Sequence, residues 1–323
     1  MRRLMAALAL VGALIALMPA IGNAETYPNR PIKLIVPFPA GGGGDVLARL
    51  ITHHMSEDLG QTVLVLNQVG AGGALAFAQG AKAEADGYTL IWSTVSLPVL
   101  AATMESLSFD PAADFTHIGG LVENPFVLVV NPNVPAKSLA ELVAQAKAKP
   151  KAINLAHNGT GTLTKLALDL LQLQAGIEIT EVSYRGDNFS IGDIIAGHVQ
   201  GMFSNTPVAL PNMASGRVRG LAVTSTKRSP SVPDLPTMAE AGVPGFEVSV
   251  WHGLSGPAKL PRPIVERLSA SMKKAVAVPE VRERLKTLGV EPAFSTPEEY
   301  DALVKKELAL WASVAKRAAQ AGK

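Results

Sequence analysis

Between Pro31 and Trp92, short apolar runs alternate with stretches whose apolar residues recur every three or four positions. Ile32 to Pro37, Val63 to Leu66 and Tyr88 to Trp92 read as strands, and Val46 to Leu59 and Gly73 to Lys82 as helices. Short strands separated by longer helices predict parallel βαβ units with helices on both faces of the sheet. The pattern then restarts. Phe126 to Val130, Ile153 to Ala156, Glu178 to Val182, Val199 to Phe203 and Val218 to Val223 read as strands. Helical segments lie between them, from Ser138 to Lys149, Thr162 to Gln174, Asp187 to Ala196 and Pro207 to Ser215. Ser138 with Glu141 three residues on is a capping box. Pro230, Pro233, Pro236 and Pro244 exclude a long helix, and Phe246 to Leu254 reads as a strand crossing back. Pro263 to Ala275, Pro279 to Leu288 and Pro297 to Ala318 read as helices with proline at or near their starts, where a missing N–H costs nothing. The expected fold is α/β: two doubly wound α/β domains joined by crossing strands, with a cleft between them. The pattern assigns 25–124 plus 248–323 to the first domain and 125–247 to the second.

The chain's start changes where that fold is expected to begin. Met1-Arg2-Arg3 is basic, Leu4 to Met18 is an unbroken apolar run, and Gly22 and Ala24 hold the small-residue positions of a cleavage site. Residues 1–24 therefore read as a secretory signal peptide, with the mature chain starting at Glu25. The apolar run is shorter than the roughly 20 residues a spanning helix needs. Across 323 residues there is no cysteine, which rules out disulfides, Cys-ligated zinc and a thiol nucleophile. With 29 Lys plus Arg against 27 Asp plus Glu, no basic block marks a nucleic-acid surface. A soluble, monomeric periplasmic protein without nucleic-acid partner is expected.

Pro31-Ile-Lys-Leu-Ile-Val-Pro-Phe-Pro-Ala-Gly-Gly-Gly-Gly-Asp45 is the stretch most suggestive of chemistry: a strand, a glycine loop and a helix that Asp45 would cap. Such a loop suits a small anion at a helix start. Nucleotide motifs fail on spacing. A G-x-G-x-x-G begun at Gly41, Gly42, Gly70 or Gly159 places Val46, Leu47, Leu75 or Thr164 where the third glycine belongs, and no Gly-Lys-Ser/Thr follows any loop. Gly253-Leu-Ser-Gly256 is not a serine-nucleophile elbow. His53 and His54 are neighbours that diverge by about 100° on a helix, so they do not converge on a metal. No carboxylate pair stands out, and neither catalysis nor a cofactor is expected. Two further loops, Gly70-Ala-Gly-Gly73 and Ala156-His-Asn-Gly-Thr-Gly-Thr162, also follow strands and open helices. Loops at the C-terminal ends of strands are where ligands sit in open α/β sheets. Their recurrence in both halves predicts a hinged binding protein, with Gly41 to Gly44 facing Gly159 to Gly161 across one cleft.

Several stretches carry a specific resemblance. Tyr27-Pro-Asn-Arg-Pro31, Val36-Pro-Phe-Pro-Ala-Gly-Gly42, Asp45-Val-Leu-Ala-Arg49, Ala85-Asp-Gly-Tyr-Thr-Leu90, Asn131-Pro-Asn-Val-Pro-Ala-Lys-Ser138, Leu221-Ala-Val-Thr-Ser-Thr-Lys-Arg-Ser-Pro230 and Glu240-Ala-Gly-Val-Pro-Gly245 are among them. The chain resembles the Bug-type periplasmic receptors of tripartite tricarboxylate transporters along almost its whole mature length. That resemblance implies an organic carboxylate held through backbone N–H groups and water, and delivery to an inner-membrane permease with one large and one small subunit. It implies contacts from Phe38, Ala40, Gly41, Gly42, Gly43, Gly44, Asp45, Ser93, Thr94 and Ser96 on one side. His157, Asn158, Gly159, Thr160, Gly161, Thr162, Tyr184, Arg185, Gly186, Ser204 and Asn205 would supply the other. Phe38 is equally a core residue on this reading, and Asp45 is a helix cap rather than a direct ligand contact. Ser204 stands where the family usually has Asp, and His157 and Lys165 where it commonly has Ser and His. Losing an acid and gaining cations would favour an acid without an ammonium group over an amino acid. A ligand-sensing subunit for a membrane signalling protein is the alternative role, since it needs the same closing cleft.

Overall fold

The computed structural model describes residues 27–321, so the expected signal peptide lies outside the described residues. In chain order the elements are β1 (Ile32–Val36), α1 (Gly43–Leu59), β2 (Val63–Asn67), α2 (Ala74–Ala81), β3 (Thr89–Thr94), α3 (Ser96–Thr103) and β4 (Phe115–Val130). There follow α4 (Leu139–Ala148), β5 (Asn154–His157), α5 (Leu163–Ala175), β6 (Thr180–Ser183), α6 (Asp187–Ala196), β7 (Gly201–Asn205), α7 (Thr206–Ala214) and β8 (Arg219–Val223). The last are β9 (Ser249–Pro257), α8 (Arg262–Ala277), α9 (Pro279–Thr287), β10 (Glu291–Ser295) and α10 (Pro297–Ala321).

The strands form a mixed sheet in the order β2-β1-β3-β9-β4-β7-β5-β6, with β8 and β10 also paired to β4. Both ends are parallel, as the βαβ pattern requires: β1 pairs β2 and β3, and β5 pairs β6 and β7. The middle is antiparallel through β9 and β4. β4 is one 16-residue strand where the sequence shows only its second part, from Phe126. Residues Phe115 to Pro125 pair with β9, and Phe126 to Val130 pair with β7 and β8. Pro125, which has no N–H to give to a ladder, sits where β4 changes partners. Extended at about 3.3 Å per residue, β4 runs roughly 50 Å and is shared by both ends of the sheet.

Fully buried Leu, Ile and Val of β1 and β3 pack against Leu47, Ile51 and Met55 of α1 and Leu268 and Met272 of α8. Tyr300 of α10, also buried, lies 5.5 Å from the Trp251 ring edge-on and donates its hydroxyl to Ser93 O at 3.3 Å. These contacts seat the C-terminal helix across β3, β4 and β9.

Candidate functional site

The loop after β1 turns over Gly42 N–H to Pro39 O (3.1 Å), and α1 begins at Gly43 with Gly42 as its cap residue. The helix therefore starts inside the glycine run, earlier than apolar periodicity shows, because glycines carry no apolar signal. Asp45 is consequently a first-turn residue and not the cap. Its carboxylate reaches back to accept Gly41 N–H (2.9 Å), and it also accepts Arg49 Nε (3.0 Å) and Asn67 Nδ2 (2.8 Å). Burial pushes this carboxyl up, but the donors from Arg49, Asn67 and Gly41 outweigh burial and hold it below the usual carboxylate range. Asp45 locks the loop from behind.

In front of that loop lies a cavity of about 610 Å³. The starts of helices from both ends of the sheet converge on it. From the β1–β3 end come Gly42, Gly43 and Gly44 of α1, Gly70 to Gly73 before α2, and Val95 and Ser96 of α3. From the β5–β7 end come Thr162, Leu163 and Thr164 of α5, Gly186 and Asp187 of α6, and Asn205, the cap residue of α7. First-turn N–H groups have no acceptor inside their own helix and carry the positive end of its dipole. Six such starts make the cavity a site for negative charge built from backbone.

The charged side chains add little to it. Arg185, exposed, is the cation among the lining residues and makes no ion pair among the described residues. Asp187, 3% exposed, is the acid. It accepts Asn158 Nδ2 (2.5 Å), Asn205 N–H (2.8 Å), Asn205 Nδ2 (3.2 Å) and Ser204 Oγ (3.4 Å). Burial pushes its carboxyl up against the pull of those donors. By taking the Asn158 NH₂, Asp187 leaves Asn158 Oδ1 buried, without a partner, at the cavity wall.

The two edges of the cavity touch. Asn188 Nδ2 donates to Ala40 O across it (3.1 Å). Gly72, at φ 66°, would place a Cβ 2.7 Å from Thr160 O, and a Cβ on Gly186 would sit 2.5 Å from Pro39 Cγ. Both positions need glycine for the edges to meet.

Of the residues predicted from sequence, Phe38, Gly42, Gly43, Gly44, Thr94, Ser96, Asn158, Gly159, Thr160, Thr162, Tyr184, Arg185, Gly186 and Asn205 line the cavity. Phe38 also packs on the β1–β3 core. Ala40, Gly41, Asp45, Ser93, His157, Gly161 and Ser204 do not line it. Asp45, His157 and Ser204 among these are engaged elsewhere, whereas the Ser93 hydroxyl is buried without a partner among the described residues. Ser204 is fully buried and donates to Asp187, while His157 Nδ1 accepts Gly159 N–H (3.0 Å). Burial holds the His157 imidazole down, against the pull of Glu181. Lys165 is paired to Glu181 (3.0 Å) and Asp169 (2.5 Å). The charge argument from Ser204, His157 and Lys165 is thereby corrected: no cation is gained in the lining, and Asp187 supplies an acid at the wall where Ser204 lacks one. Gly70 to Gly73, singled out as a loop but not as contacts, do line the cavity, as do Asp187, Val250 and His252. The last three had no signal of their own, because β9 and the α6 start meet the glycine loops only through the sheet.

The chain has relatives of known family and structure. Residues 47–319 match the tripartite tricarboxylate transporter family receptor. The chain belongs to that family. Its fold is that of the periplasmic binding proteins: the solved periplasmic binding protein BugD is 34% identical, with a TM-score of 0.87 over 91% of this chain and 99% of that one. An R. palustris protein solved with adipate is 34% identical, with a TM-score of 0.87 over 90% and 97% of the two chains. MatC from Rhodopseudomonas palustris, solved with bound malate, is 34% identical, with a TM-score of 0.84 over 90% and 100%. The family is one of receptors and not of enzymes. No helix among the described residues is long and apolar enough to cross a membrane.

Proposed function

We propose that this receptor captures a small organic carboxylate in the cavity between the two ends of its sheet and delivers it to the membrane subunits of a tripartite transporter from the periplasm. The observation that carries the proposal is the convergence of six helix starts, from both ends of the sheet, on one cavity whose lining holds a single cation. Backbone donors stabilise a carboxylate without the cost of burying a lysine or arginine to meet it. Adipate and malate in two related structures fit the same chemistry. The stretches where β4 and β9 pass between the two ends act as the hinge, and closing over the ligand presents a completed face to the permease. Residues 25–124 plus 248–323 and residues 125–247 are the two bodies that move. Residues 1–24 direct export.

A thermal-shift screen of carboxylic acids, followed by calorimetry, tests this reading. An acid bound at micromolar Kd and present at millimolar concentration stabilises by about 4 kcal/mol. Stabilisation by sugars or amines with none by any acid overturns the proposal.

A further inference from the structure

The cavity lining holds one buried donor that the protein itself does not use. His252 lies on β9, in the middle of the sheet, paired to Thr94 on one side and Val122 on the other. Val250 and His252, alternate residues and therefore on one face of the strand, both line the cavity. On that face the indole of Trp92, fully buried, donates Nε1–H to His252 Nδ1 at 3.1 Å. An indole N–H can only donate, so Nδ1 is the acceptor of the imidazole and the ring proton sits on Nε2. The two ring nitrogens diverge, so Nε2–H is directed away from the indole. It is buried, in a side chain 2% exposed, and has no partner among the described residues. A buried N–H that no protein group accepts is a strong demand on whatever fills the space beside it. Among the lining residues only Asn158 Oδ1 shares that condition, and it is an acceptor.

We propose that His252 is a specificity-determining residue whose Nε2–H donates to a second oxygen acceptor on the ligand, and that Trp92 positions it by fixing the tautomer. The proposal rests on the carboxylate reading of the cavity and deepens it. One carboxylate meets the helix starts, and the remainder of the ligand presents a further carboxylate or carbonyl oxygen to β9. Burial pulls the imidazole down to about 3, so the group that meets the ligand is a neutral donor across the physiological range. A neutral N–H accepts no proton from the ligand and rejects an ammonium group, which has only donors. Dicarboxylates are therefore preferred to monocarboxylates of the same length.

Calorimetry on matched pairs (succinate and butyrate, glutarate and valerate, adipate and hexanoate) tests it. For the pair that binds best, the wild type prefers the diacid by about tenfold or more. His252→Phe loses most of that preference while still binding the monoacid, and His252→Gln, which keeps an N–H, retains part of it. Long-range ¹H–¹⁵N spectra of the ligand-free protein report a single Nε2–H tautomer for His252, and the Nε2 resonance moves when the diacid binds. In Trp92→Phe the ¹⁵N shifts report a mixture of tautomers. Equal binding of diacid and monoacid by the wild type overturns the inference, as does an unchanged preference in His252→Phe or an unmoved Nε2 resonance. If no acid of either kind binds, the carboxylate reading fails and this inference with it. If acids bind without regard to His252, this inference alone fails.

Discussion

Asp187 is the residue on which the cavity wall depends, although its charge is unfavourable to an anionic ligand. Its carboxylate accepts four hydrogen bonds and so orients the amides of Asn158, in the loop after β5, and of Asn205, the cap residue of α7. Removing it leaves the donors of Asn158, after β5, and of Ser204 and Asn205, at the end of β7, without that acceptor. Asp187→Ala is expected to lower the unfolding free energy by about 3 kcal/mol in urea denaturation and to weaken carboxylate binding at the same time. A variant as stable as the wild type would refute this role. Asp45 does similar work behind the glycine loop, where it accepts from Gly41, Arg49 and Asn67. Arg185 is exposed, and its attraction for the ligand is screened. Arg185→Ala is expected to reduce affinity by only about threefold in calorimetry at physiological salt, and that deficit should shrink further as salt rises. A hundredfold loss would mean that the side chain, and not the backbone, carries the anion.

At the scale of elements, α1 is held at both ends by acids, Asp45 in its first turn and Asp58 in its last. At its last turn Asp58 accepts Arg267 Nη1 (2.6 Å) and Lys274 Nζ (2.6 Å), both from α8. The two cations hold its carboxyl down at about 2. A carboxyl lowered on folding stabilises the protein above its unfolded value near 4 and ceases to do so as pH falls through the folded value. Urea midpoints measured from pH 5 to pH 2 should therefore fall, and Asp58→Asn should flatten that slope by about 1 kcal/mol after allowance for the exposed lysine. An identical slope in the variant would exclude the pair. The elements also show where periodicity fails as a guide. α3, Ser-Leu-Pro-Val-Leu-Ala-Ala-Thr, is apolar all round with five residues buried, so it has no amphipathic face to detect. β10 is a five-residue strand carrying Pro292, a composition that speaks against a strand. β4 was legible only from Phe126, because Gly119, Gly120 and the run Glu123-Asn-Pro125 interrupt its apolar character. The parallel ends of the sheet were legible because most strands there are short, apolar and separated from the next by a helix or helical turns.

For the whole molecule, the proposed closure turns on how closely the two cavity edges approach. Gly186 has an extended backbone, φ 161°, that any residue can adopt, so the demand for glycine there comes from Pro39 on the opposite edge. Gly186→Val is expected to bind the ligand about tenfold more weakly while its melting temperature without ligand changes little, because the clash exists only with the edges together. Small-angle scattering at saturating ligand should give a larger radius of gyration for this variant than for the wild type. An unchanged affinity would show that the edges need not meet. Gly72 makes the same approach to Thr160 O but with φ 66°, so substitution there adds backbone strain and tests closure less cleanly.

The sequence by itself determined the α/β class, the glycine loops at strand ends, the absence of cysteine chemistry and the family resemblance, because these depend on residue type, local periodicity and short-range spacing. Most of the predicted contacts fall on the cavity for the same reason: a loop at the C-terminal end of a parallel strand has only one edge to open onto. The tertiary structure alone decided which side chains those loops leave for a ligand. His157 is engaged by Gly159, Lys165 by Asp169 and Glu181, and Ser204 by Asp187, whereas Asp187 and His252 were brought to the wall by strand order. His252 and Trp92 are 160 residues apart, and it is their antiparallel neighbouring strands, with β9 inserted beside β3, that put an indole donor against one imidazole nitrogen and leave the other without a partner among the described residues.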